Sequence, residues 1–124
     1  THMVGKILEV PATVRHYNHY LSGGSLKHKL RTIVKGGSIW FRPALSSLSD
    51  MKKLMEDVDA ESNNNYLEFM IHSSELMPGG SPYFKDSNAI DKMYDTMDEL
   101  FAYARKLGYE GETLESYTNR FLKK

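Results

Sequence analysis

The stretch around residues 90–104 constrains this chain most. Ile90, Met93, Tyr94, Met97, Leu100, Phe101 and Ala104 recur every three or four residues, the spacing that lines one face of an α-helix. Ser87 or Asn88 can cap its start, and Gly108 stands just past Lys106, where a long helix would stop. That apolar side has to be buried against another layer.

Three strand-like segments can form the layer. "KILEVPAT" (6–13), "SIWFRP" (38–43) and "YLEFMI" (66–71) are rich in aliphatic and aromatic residues; Pro11 suits the exit of the first and Pro43 ends the second. Helical patterns lie between them. Leu26, Leu30 and Ile33 or Val34 are helically spaced, with Gly23-Gly24 as a turn before them and Gly36-Gly37 as the stop. Ser49, with Asp50 beside it, can open a further helix whose stripe is Met51, Leu54, Met55 and Val58, ended by "ESNNN". "YEGETL" reads as a short added strand and "ESYTNRFLKK" as a last helix.

The alternation predicts an α/β fold: repeating strand-helix units on a small, mainly parallel sheet with right-handed crossovers. Such sheets present ligand-binding residues at their carboxyl strand ends, and Pro11, Arg42 and His72 lie near those ends. The open edges of so small a sheet invite self-association. Residues 4–124 form a single domain in this reading, with 1–3 as an expression remnant.

Composition removes several classes of function. Sixteen basic residues balance sixteen acidic ones, so no net field draws the chain to nucleic acid or an anionic membrane, although a local patch remains compatible with that balance. The absence of cysteine excludes disulfides, thiolate catalysis and thiolate metal sites. No apolar run approaches the roughly 20 residues that span a bilayer. Neither that nor the lack of cysteine fixes an address; the cytoplasm is the expectation.

"EFMIHSSELMPGGSPYF" (68–84) concentrates the chemistry. His72, at a strand end, can donate a proton to a leaving group or take one from water, or it can simply satisfy loop carbonyls. Ser73 and Ser74 need an activating base to be nucleophiles and lack the G-x-S-x-G context; turn-tightening is the plainer role. Glu75 can orient His72 or touch a substrate. "PGGSP" can expose backbone N–H groups but is no P-loop. Tyr83 and Phe84, like Trp40 and Phe41, suit either a sugar-stacking wall or a packed lid, and one of Trp40 and Phe41 should be core because strand neighbours point oppositely. The planar fork of Arg42 can pair with a carboxylate and set its pKa, or form a surface ion pair. His16 and His19 can share a helical face but match no metal motif. Met51, Met55, Met93 and Met97 read as core filling first and a partner-binding surface second.

"LEVPAT", "WFRP", "FMIHSSELMPGGSPYF" and "ETLESY" together resemble the carbohydrate (polysaccharide) deacetylase family with the NodB-type fold, closest to members linked to bacterial surface-polysaccharide or O-antigen synthesis. The resemblance implies the C-terminal half of a distorted (β/α) barrel that removes acyl groups from sugars by metal-assisted hydrolysis. It implies that His72 matches the late catalytic histidine, that Met70 and Ile71 line the pocket before it, and that Arg42 is similar to the arginine that orients the basic aspartate. Here that arginine directly precedes Pro43, not one residue earlier. Glu75, Tyr83, Trp40 and Met70 are the implied saccharide contacts.

The family's early aspartate pair has no counterpart, and its histidine pair is spaced differently from His16 and His19. No metal ligand carries over, so a divalent metal such as zinc would belong to the complete enzyme. Such a chain is expected to be inactive alone and to pair with the missing N-terminal half or with itself through its strand edges. A non-catalytic saccharide-binding or assembly module and a metal-free serine hydrolase are the alternative functions.

Overall fold

The computed structural model describes residues 1–61 and 66–123. In chain order it contains β1 (His2–Val4), β2 (Ile7–Glu9), β3 (Val14–Tyr17), α1 (Leu26–Lys35), β4 (Gly37–Trp40), α2 (Leu48–Asp59), a 3-10 turn (Ser73–Leu76), α3 (Ser87–Lys106) and α4 (Leu114–Leu122). The long helix lies where its apolar period placed it, with Ile90, Met93 and Leu100 buried, but Tyr94 and Phe101 of the same stripe are exposed.

The sheet corrects the expected architecture. The described strands form two separate antiparallel pairs, β1 with β2 and β3 with β4, in place of a mainly parallel sheet. The register explains why. Tyr17, the last residue of β3, sits opposite Gly37, the first of β4. The chain therefore leaves and re-enters at the same end of the pair, so α1 joins the strands as a long hairpin connection. A parallel crossover would have to return to the opposite end. No right-handed crossover and no half barrel arise from this connection.

Gly36 makes the return possible. Its φ is +69°, and a Cβ there would lie 2.2 Å from the Tyr17 carbonyl oxygen, so both backbone and space demand glycine.

The other predicted strands differ as well. Of residues 6–13 only Ile7–Glu9 pair, and the next ladder begins at Val14. Consequently His16 is a strand residue and His19 follows the strand; they share no helix. Residues 66–71 lie outside any described ladder and borrow partners from their neighbours. The Met70 N–H donates to the Phe41 carbonyl at 3.1 Å, and the Glu68 N–H donates to Thr13 Oγ1 at 2.8 Å. Residues 109–113 are irregular.

Two helix starts are displaced. Ser47, not Ser49, caps α2 by accepting from the Asp50 N–H, and Asp86 caps α3 by accepting from Ala89 at 2.8 Å. Of the "ESNNN" stop, all but Glu61 lies outside the described residues.

The core forms around α2, which contacts β4 and α3. Met51, Leu54, Met55 and Val58 meet Ile39, Phe41 and Leu100 there. Phe69 joins the layers, with its ring 5.6 Å from Phe41 and 5.1 Å from Phe101 in edge-on geometry. The methionines Met51, Met55 and Met93 are buried core fillers. A polar tie supports the same layer: the Tyr17 hydroxyl donates to Asp57 Oδ2 at 2.5 Å, and Lys53 Nζ reaches the same oxygen at 2.8 Å.

Candidate functional site

Arg42 stands two residues beyond β4, where the chain turns sharply and the Arg42 N–H donates to the Trp40 carbonyl at 2.8 Å. This bend directs the guanidinium inward, leaving its side chain 13% exposed. Its Nη2 donates to Oε1 of Glu75, whose side chain is 2% exposed. The other Glu75 oxygen, Oε2, accepts from the backbone N–H of His72 at 3.1 Å. One carboxylate thus fastens the start of the 3-10 turn to the end of β4.

Burial alone would raise the Glu75 pKa. The hydrogen bond from Arg42, the His72 N–H and the guanidinium charge outweigh burial and hold the carboxyl below its ordinary value. Glu75 is therefore an anion used for structure. The pair is single-pronged, since Arg42 Nε is buried with no partner among the described residues.

His72 occupies the N-cap of the turn, with a φ of −96° and a ψ of 145°. Its backbone is held while its side chain is exposed. Ser73 and Ser74 follow as exposed first residues of the turn.

The glycine-rich loop then folds back onto this turn. The Gly80 N–H donates to Met77 at 2.9 Å, and the Gly79 N–H donates to Phe84 at 3.0 Å. A Cβ on Gly80 would stand 2.4 Å from the Ser74 carbonyl oxygen. The double glycine permits a close backbone approach that supports the residue pair next to His72. Gly80→Ala is accordingly expected to cost about 2 kcal/mol, because the obstacle is backbone and cannot rotate away. A thermal melt of the variant checks it, and an unchanged midpoint would contradict this packing.

The structure joins three of the six proposed site residues, Arg42, Glu75 and His72, through hydrogen bonds. Met70 is tied to the same corner by its bond to Phe41. Trp40 is partly buried, with its backbone N–H donating to Ser46 Oγ at 2.9 Å, and Phe41 beside it is the core member of the two. Tyr83 is 51% exposed on the loop. Trp40 meets the pair through its backbone alone, its carbonyl accepting from the Arg42 N–H, and among the described hydrogen bonds none ties the side chain of Tyr83 or Trp40 to the Arg42–Glu75 pair.

Glu68 was not among the residues proposed for the site. Its Oε2 is buried without a partner among the described residues. It lines a cleft of about 540 Å³ with Val4, Ile7, Val10 and Leu114, away from His72. The available signal was an acidic residue within an apolar run.

Among the described residues no group of three or more His, Asp or Glu side chains could hold a metal ion. His16 instead meets Ser38 Oγ at 3.3 Å, and His19 meets the Ile33 carbonyl at 2.9 Å. The described residues do not fit the divalent metal that a deacetylase requires. Comparison with protein-family models, curated proteins and solved structures finds no match for this chain.

Proposed function

We propose that this chain supplies the proton-donor portion of a carbohydrate deacetylase, with His72 as the acid. The observation that carries the reading is the exposed His72 side chain on a backbone pinned by the buried Arg42–Glu75 pair. A general acid must be held in place while its tip stays accessible to the departing group. As an acyl group leaves a sugar nitrogen or oxygen, His72 gives a proton to that atom, and Arg42 and Glu75 position the donor through the backbone. Tyr83, Trp40 and Met70 are proposed to border the sugar. The metal ligands and the base lie outside these 124 residues, and the resemblance of "HSSELMPGGSPYF" to deacetylases supports this division.

Acetate release from an acylated oligosaccharide tests the reading. The chain alone is expected to release none, and the chain joined to a segment that carries the metal ligands and base is expected to do so. His72→Gln in the joined protein should lower the rate about a hundredfold with an unchanged urea midpoint. Robust release by the isolated chain would sink the incomplete-site reading. Saccharide binding that survives His72→Ala, without hydrolysis by the joined protein, would establish a binding module instead.

A further inference from the structure

The first helix is oriented against its own amphipathicity. Thr32 is the buried residue of α1, and the Thr32 carbonyl and hydroxyl oxygens accept from the N–H groups of Tyr20 and Ser22, at 3.2 and 3.4 Å. The apolar residues point away from this attachment. Leu26 is 74% exposed, Leu30 57%, Ile33 47% and Val34 67%. At 100° per residue these four share one arc, with Lys27, Arg31 and Lys35 along one side and Lys29 along the other.

Charge distribution across the chain reinforces the arrangement. Residues 18–36 hold four Lys and Arg residues, all on α1, and no Asp or Glu, while the flanking Arg15 and Arg42 are paired with Glu61 and Glu75. The overall neutrality conceals this basic segment, because the acidic residues are concentrated after it.

We propose that α1 is an interfacial anchor that lies in the plane of an anionic lipid surface. The outward apolar arc would enter the boundary between headgroups and acyl chains, and the flanking cations would meet lipid phosphates and carboxylates. Charge complementarity selects this occupant: a purely electrostatic partner would leave the four aliphatic side chains in water, and a neutral apolar partner would leave the cations unused. The helix lies on the surface and does not cross it; no helix among the described residues is long and apolar enough to span a bilayer. The inference is independent of the proposed acyl chemistry.

Vesicle co-sedimentation of the full chain tests it, comparing phosphatidylcholine alone with phosphatidylcholine containing about 30% phosphatidylserine. Partition onto the anionic vesicles is expected to be at least about tenfold stronger, and to weaken as salt rises from about 0.05 to 0.5 M. Leu30→Glu and Ile33→Glu should each reduce it about tenfold. The combined Lys27→Gln, Arg31→Gln and Lys35→Gln variant should remove the preference for anionic lipid. Circular dichroism and urea midpoints matching the parent chain keep the comparison to folded protein, and both glutamates replace exposed side chains.

Failure to sediment with anionic vesicles would overturn the proposal, as would equal partition onto neutral ones. So would sedimentation equilibrium showing a dimer that Leu30→Glu dissociates, since a second copy would then cover the arc.

Discussion

Replacing Glu75 by alanine is expected to lower the unfolding free energy by about 3–5 kcal/mol, the usual cost of leaving one member of a buried ion pair without the other. The Arg42 guanidinium would lose its described carboxylate partner while still largely buried, and the His72 N–H would lose its acceptor. Urea denaturation measures the loss. The double variant Arg42→Met/Glu75→Leu should be much less damaged, because it removes the cost of desolvating both charges along with their attraction. A single-variant loss below about 1 kcal/mol, in the range of solvent-exposed pairs, would show that this contact does not clamp the turn.

The same pair gives the molecule a defined acid response. The Glu75 pKa is depressed in the folded state, so its stabilising contribution is fully present above the ordinary value of 4.5 and is lost as pH falls through the lower folded value. The parent chain should therefore lose stability on this limb, and Glu75→Gln should show a flatter one. Urea midpoints measured between neutral pH and pH 3 would reveal the difference as a steeper loss in the parent chain than in the variant. Parallel profiles would mean that the carboxylate is not preferentially charged in the fold.

Leu54→Ala is expected to cost about 3 kcal/mol. Leu54 is fully buried on α2, inside the cluster that includes Ile39, Phe41, Met55 and Leu100. Truncation removes apolar burial and leaves a cavity that the surrounding helices and strands refill only in part. For a domain of this size the melting temperature should fall by about 10 °C. Leu30→Ala is the informative control: Leu30 is 57% exposed, so the same change there should stay within about 0.5 kcal/mol. Equal losses at the two sites would be incompatible with this core.

Helices were more legible in the sequence than strand pairing because their information is local. The stripe from Ile90 to Ala104 and the one from Met51 to Val58 each specify a buried face over a few turns. Strand direction depends on where a connection returns. Gly36 allows the chain to turn back beside Tyr17, and that relation has no periodic signature. The apolar segment 66–71 also looked like a strand, but its Leu67 and Phe69 serve packing while its backbone has few strand partners. In α1 the helix was legible and its orientation was not, since polar Thr32 has the buried position.

At the candidate site, residue chemistry indicated that Arg42 could pair with a carboxylate and that Glu75 could orient His72. The fold joins these possibilities across 33 residues of sequence. The double glycine invited a backbone-donor reading, and the structure adds the close approach of Gly80 to Ser74. Sequence spacing could not specify that contact because it is made between two loop backbones.

The facing positions of Tyr17 and Gly37 also give the fold modularity. Residues 18–36 begin and end at neighbouring points, so the excursion containing α1 is closed on itself at the strand pair, with Tyr20 as its contribution to the core. Its outward arc can be altered without touching the α2 core, whereas Tyr20, Thr32 and Gly36 on the same excursion are fixed by the core and by the returning strand.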